Sequence, residues 1–131
     1  MYSVSTNAIK VKATPAYQGR GVTADYVFSV WSHTIVIENN SDSPIQVLRR
    51  YWQVFEDCGM VKEITGDGVV GKTPVISPGE AFEYTSFTNL KSHSGMMMGK
   101  YFVLDIDSGE ELTINTPAFS LDSPEEKTIL N

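Results

Sequence analysis

The chain has 131 residues, with 10 Lys and Arg against 16 Asp and Glu, a formal net charge of −6 and a single cysteine. That length fits one domain able to bury a core without staples, and the scattered basic residues offer no stripe to neutralise a nucleic-acid backbone, so nucleic-acid binding is not expected. No apolar run is long enough to span a bilayer and the first residues carry no basic-then-apolar leader, so a soluble cytoplasmic protein with a reduced Cys58 is expected.

Along the chain, apolar and polar residues alternate between turn signals, the pattern of half-buried antiparallel strands. Ile9, Val11 and Ala13 alternate with Lys10, Lys12 and Thr14 in a first strand. Trp31, His33, Ile35 and Ile37 share one face of the clearest strand, with Ser32, Thr34, Val36 and Glu38 on the other. Asn39-Asn40-Ser41-Asp42-Ser43-Pro44 then break it with residues that accept or impose turn geometry. A strand over Ile45 to Glu56 follows, then a hairpin turn at Asp57-Cys58-Gly59 and a short strand from Met60 to Thr65. Pro78-Gly79-Glu80 leads into a strand from Ala81 to Ser86, and a last hairpin joins residues 100–105 to 111–116 around Asp107-Ser108-Gly109. No window holds a sustained 3.6-residue apolar period, so little helix is expected. About seven or more short strands of this kind predict an all-β, antiparallel β-sandwich forming one domain over residues 1–131, with a loose Ser-, Pro- and Glu-rich tail at 122–131.

Between two strands, Gly66-Asp67-Gly68-Val69-Val70-Gly71-Lys72-Thr73 satisfies both the dinucleotide fingerprint and the P-loop pattern. Both motifs need a helix starting at the glycines, whose free amides and positive end meet phosphate. Here Pro74 and Pro78 follow, each without an amide donor and each biasing its predecessor toward extended backbone, so no such helix forms. Two readings of the loop remain. Gly66, Gly68 and Gly71 could shape an anion-binding concavity with Lys72 adding charge, or they could serve a tight turn or bulge needing positive φ. Asp67 inside the loop opposes an anion.

Other groups point to structure more than to catalysis. Cys58 lies among acidic residues that disfavour its thiolate. His33 falls in the apolar phase of a strand and reads as a core histidine, His93 as a solvated one, and neither has the local sequence of a hydrolase triad. Asp105, Asp107, Glu110 and Glu111 gather oxygens near one hairpin but lack the EF-hand spacing. Met96, Met97 and Met98 alternate faces in a strand and cannot converge on a soft metal, which makes Met97 core and leaves Met96 and Met98 for a partner surface. Arg50 shares strand phase with Leu48, Trp52 and Val54, so its guanidinium requires a carboxylate or carbonyl partner or packing on Trp52; it reads as pinning the sandwich rim, with a ligand-facing role as the lesser reading.

Arg50-Tyr51-Trp52, the run from Gly66 to Gly71, Pro74, Pro78-Gly79-Glu80, Phe82-Glu83-Tyr84-Thr85-Ser86, the segment from Gly95 to Tyr101 and Pro117-Ala118-Phe119-Ser120-Leu121 occur in the order of the ApaG family, which the chain resembles over nearly its whole length. The resemblance implies an immunoglobulin-like or fibronectin-type-III-like sandwich, similar to domains of some F-box proteins and of a DNA-polymerase-interacting protein. It also implies links, by name and gene neighbourhood, to diadenosine tetraphosphate hydrolysis and to cobalt and magnesium resistance, without an agreed molecular activity. In the relatives the glycines and Pro74 recur while the positions of Lys72 and Thr73 vary. This chain departs from the usual pattern at Tyr51, where many relatives have His, and at Phe87, where many have Gly.

These observations lead to a non-catalytic protein-binding or adaptor module without cofactor or metal ligands. Tyr51, Phe87, Met96 and Met98 form its expected partner surface. One alternative is a phosphate, pyrophosphate or dinucleoside polyphosphate ligand on the loop at 66–73; another is an accessory role in cobalt and magnesium homeostasis.

Overall fold

Period-two alternation gives each strand one face to bury, and the computed structural model, which describes residues 1–124, closes two such faces on each other. The strands in chain order are β1 (Tyr2–Thr6), β2 (Ile9–Val22), β3 (Val27–Asn39), β4 (Ile45–Glu56), β5 (Gly59–Asp67), β6 (Val75–Ile76), β7 (Ala81–Leu90), β8 (Ser94–Asp105), β9 (Glu111–Asn115) and β10 (Phe119–Asp122). One sheet has four strands in the order β1-β2-β3-β7. The other has six, in the order β10-β8-β4-β5, with β6 paired to β4 and β9 to β8. Every pairing is antiparallel, so the all-β antiparallel sandwich expected from the alternation is the observed fold, consistent with an immunoglobulin-like arrangement.

The β4 bounds and the turn after it are those read from the sequence, and Cys58 is exposed at that turn. Other strands run further. β2 continues through Pro15 to Val22 because β3 pairs it along that whole length, while β1 pairs it only as far as Ala13. Beyond that point one edge of β2 is unpaired and proline's missing donor is tolerated. β1, β6 and β10 are too short or too polar to show a period and exist through their tertiary pairing. Asp122 belongs to β10 and the Ser123 amide donates to the His93 carbonyl at 3.0 Å, so the expected tail begins in ordered pairing. Residues 125–131 of that tail lie outside the described residues.

Aromatic rings fill the centre. Trp52 stands edge-on to Tyr101 at 6.1 Å and to Phe119 at 5.9 Å, and the His33 ring lies 5.9 Å from Trp52. Trp31, His33, Ile35 and Ile37 are all buried, as the alternation required. One correction concerns Leu48. The β4–β8 register shifts between Val47 and Arg49, so Leu48 is an extra residue opposite β8. This bulge resets the phase, and Val47 and Ile45 before it face the same core as Trp52 and Val54 after it.

Two ties close one flank. The Asn115 amide donates to Thr6 Oγ1 at 3.3 Å, and the Ser120 amide to the Tyr2 hydroxyl at 3.4 Å, linking β1 of one sheet to the far edge of the other. At one end of the sandwich, fully buried Asn39 joins several backbone segments. Its Nδ2 donates to the Ser43 carbonyl at 2.8 Å and the Ile76 carbonyl at 2.9 Å, while its Oδ1 accepts from the Ser41 amide and hydroxyl. Replacing it strands buried backbone groups, each costing about 1–3 kcal/mol. Asn39→Leu, close in shape, should therefore lower the unfolding free energy by about 3 kcal/mol in a urea titration. A loss below about 0.5 kcal/mol would show that these groups are satisfied without Asn39.

Candidate functional site

β5 and β7 each end a sheet, and between them a cleft of 190 Å³ opens into the sandwich. Its origin is the size of the inward side chains. Tyr84, Ser86, Thr88 and Leu90 face inward along β7, and Ile64 and Gly66 along β5. Serine, threonine and glycine stand where a close-packed core would place larger apolar groups, so space is left over. Val70 and Phe87, 53% and 65% exposed, stand at the rim.

His33 and Arg50 also line this cleft. The histidine is 3% exposed, and its Nε2 shares a 2.9 Å hydrogen bond with the Thr88 hydroxyl. The same hydroxyl lies 3.5 Å from the Met97 sulfur, a second and weaker acceptor. Nδ1 is buried and has no hydrogen-bond partner among the described residues. Burial pushes the His33 pKa down from 6.5 to about 4, keeping the ring neutral.

Arg50 answers the question posed by its strand phase. Its Nη1 donates to the carbonyls of Asp67 and Gly68, both at 3.0 Å, so carbonyls of the glycine segment hold it, and its guanidinium lies against the backbone of Gly66. A Cβ at Gly66 would come within 2.6 Å of Arg50 Nη2. Beyond it, Val69 and Lys72 exchange both backbone hydrogen bonds, at 2.7 and 2.9 Å, around a two-residue turn with φ 43° at Val70 and 77° at Gly71. Positive φ at both central residues is the type I′ hairpin pattern, for which glycine suits the second position and valine is strained at the first. Val69 is buried in the core and anchors the turn.

The geometry bears directly on the anion reading of Gly66, Gly68, Gly71 and Lys72. The amides of Val69 and Lys72 are bonded within the turn, and the Gly68 amide donates to the Leu48 carbonyl at 2.7 Å. Three amides of the loop are therefore already committed within the protein and are not free to meet an anion. No helix follows the glycines; the short strand β6 does.

The four residues expected to form a partner surface are divided. Tyr51, Met96 and Met98 share the outward face of the six-stranded sheet, whereas Phe87 sits on the edge strand of the other. Tyr51 donates to the Glu63 carboxylate, whose hydrogen bond raises the phenol pKa, and Lys100 lies 5.9 Å from its ring. Met97 is buried, with Met98 exposed beside it. Asp105 Oδ1 accepts from the amides of Asp107 and Ser108, so that carboxylate organises its own turn. Among the described residues no group of three or more His, Cys, Asp or Glu side chains gathers to hold a metal ion, and no helix is long and apolar enough to cross a membrane. The cleft itself went unforeseen because the strand from Ala81 was expected to stop at Ser86. Extending the alternation to Thr88 and Leu90 would have revealed a small polar pair inside an apolar face.

A family model described as the ApaG domain matches residues 20–105. The chain is 44% identical over 131 residues to Protein ApaG of Paramagnetospirillum magneticum and 41% identical to Protein ApaG of Bradyrhizobium diazoefficiens, covering all of both chains in each case. Among solved structures, it is similar to a putative ApaA protein from Bordetella pertussis, with a TM-score of 0.78 and 32% identity over 90% of this chain and 95% of that one. An X-ray structure of a structural-genomics target reaches a TM-score of 0.86 at 30% identity, covering 95% of this chain and 94% of the other.

Two outcomes follow from the buried groups. Because His33 is harder to protonate folded than unfolded, the unfolded chain binds more protons between pH 6.5 and about 4. The neutral ring's contribution is fully present above pH 6.5 and is lost as pH falls through that window, by about 3 kcal/mol in total. Urea unfolding of the wild type and His33→Gln at a series of pH values should show this as extra acid sensitivity in the wild type; parallel curves would refute it. Separately, Gly66→Ala should cost about 2 kcal/mol by displacing the guanidinium, and at least about 1 kcal/mol less in an Arg50→Met background. Strict additivity would mean that the two residues do not share this contact.

Proposed function

The chain belongs to the ApaG domain family, and from that premise we propose that it is a non-catalytic cytoplasmic recognition module that binds a protein partner along the open side between β5 and β7. The observation that carries this reading is the exposure of Phe87 beside Val70 on an unpaired sheet edge. An edge strand offers a row of backbone donors and acceptors to an incoming strand, and a neighbouring aromatic side chain supplies the apolar anchor that such contacts need. Val70 adds weight, since a valine held at φ 43° in a turn tip keeps an apolar side chain in solvent at an energetic cost of about 1–3 kcal/mol. The immunoglobulin-like or fibronectin-type-III-like form suits this use, because such sandwiches recognise partners through edges and end loops.

Nothing in the cleft supports a nucleophile activated by a base. His33 is the histidine there, and Ser86 has no hydrogen bond to it. The phosphate alternative is disfavoured by the bonded amides of the glycine turn, and the divalent-cation alternative by the engagement of Asp105 in its own turn.

A photoreactive phenylalanine analogue placed at position 87 should crosslink, in cells, to one defined protein, and Val70→Asp should abolish the adduct. The same analogue at Met98, on the outer face of the other sheet, should give none. An adduct at 98 and none at 87 would overturn the assignment of the surface. Thermal melting with diadenosine tetraphosphate, pyrophosphate, magnesium or cobalt should show no shift. A ligand at ~100 times its dissociation constant would add about 2.7 kcal/mol, so a clear shift would reinstate the corresponding alternative.

A further inference from the structure

The cleft holds chemistry that partner binding at its rim does not use. Besides Tyr84, whose hydroxyl is paired with that of Tyr101, four polar residues, His33, Arg50, Ser86 and Thr88, line one small space among inward-facing positions. An inward polar group is costly unless paired, so their concentration at one place needs an account. Thr88 is paired with His33 and Met97. Arg50 and Ser86 keep donors open to solvent, whereas one nitrogen of His33 is buried without a partner. Arg50 commits only Nη1, to two carbonyls, and its Nε and Nη2 donors have no partner among the described residues. No ion pair there includes it either, so this half-buried cation lacks a counter-charge. The Ser86 hydroxyl has no hydrogen bond among the described residues, and His33 Nδ1, on a side chain 3% exposed, has no hydrogen-bond partner there.

We propose that this cleft binds a carboxylate carried on a compact apolar body that also bears a hydroxyl. The proposal goes beyond the partner-binding reading and does not depend on it. The Nε and Nη2 edge of a guanidinium presents parallel donors that match a carboxylate's two oxygens, and the Ser86 hydroxyl adds another donor. A ligand hydroxyl, able to donate or to accept, supplies the partner that His33 Nδ1 lacks. Trp52, Ile64 and Val70 give the apolar wall. Size restricts the body, since 190 Å³ is below the roughly 300 Å³ at which drug-sized pockets begin, whereas a cavity of about 150 Å³ accepts a single benzene ring. One ring or a branched chain of similar bulk is the upper limit.

The test uses 4-hydroxybenzoate, its methyl ester and benzoate as probes of the full chain, titrated to about 10 mM and read from amide and imidazole nitrogen shifts. 4-Hydroxybenzoate should move the signals of Ser86, Thr88, Val70 and His33. Its ester should bind at least tenfold more weakly, and benzoate several-fold more weakly. Ser86→Val, which fills the space with an apolar group and leaves the Arg50 contacts alone, should weaken binding at least tenfold without loss of fold. A short peptide ending in a free tyrosine carboxylate forms a further arm, compared with its C-terminal amide. Binding of the acid alone assigns the site to small metabolites, and tight binding of the peptide assigns it to a protein C-terminus. Absence of shifts with every carboxylate overturns the proposal, as does equal binding of acid and ester. Benzoate binding as tightly as 4-hydroxybenzoate would refute the part assigned to His33.

Discussion

The single extra residue at Leu48 is the constraint on which the site depends. In a strand the side-chain period is two, so a shift of one residue exchanges the core and solvent faces. Without a bulge, a β4 that buried Ile45 and Val47 would turn Arg50, Trp52 and Val54 outward. With it, both halves of the strand face the core, and Trp52 reaches Tyr101 and Phe119. The bulge also turns the Leu48 carbonyl to the Gly68 amide. One irregularity thus sets the aromatic centre, the entry of Arg50 and the seat of the glycine turn.

The resemblance of residues 66–73 to nucleotide-binding motifs has a different physical origin. Gly66 is small because a guanidinium covers its backbone, and Gly71 takes the second position of a turn with positive φ. The electrostatics are inverted relative to a phosphate loop. Here carbonyl oxygens surround a cation supplied by the protein itself, where a P-loop would direct amides at a bound anion. The same letters at the same spacing serve opposite fields.

Much of the fold was legible because the strong strands carry clear alternation. Trp31 to Glu38 declared its buried face, and Asn39 to Pro44 its end. What stayed hidden depended on partners distant in sequence. Pro15 and Gly19 argue locally against a strand, yet β2 passes through both, since the pairing with β3 sets its length and a register shift near Gly19 absorbs the irregularity. β10 is four residues whose identity as a strand rests on β8. For the site, the residue types were visible and their meeting was not. Arg50 was recognised as needing a carboxylate or carbonyl partner or packing on Trp52, and His33 as a core residue, but nothing local placed either beside Ser86 and Thr88. Conversely, Tyr51, Met96 and Met98 looked similar to Phe87 as exposed anchors and lie on a different sheet.

The ties between β1 and the opposite sheet carry a consequence for how the molecule comes into being. Tyr2 meets Ser120 and Thr6 meets Asn115, contacts that span 118 and 109 residues of chain. Closing loops of that length costs about 4 kcal/mol of chain entropy before any contact rewards it. Phe119, a central ring of the core, also comes from the last described strand. A nascent chain emerging from its N-terminus can pair β2 with β3, but it carries an unclosed flank and an unfilled aromatic centre until β9 and β10 have been made. β9 and β10 act as its latch, and a chain cut before Asn115 would leave a sandwich that cannot shut.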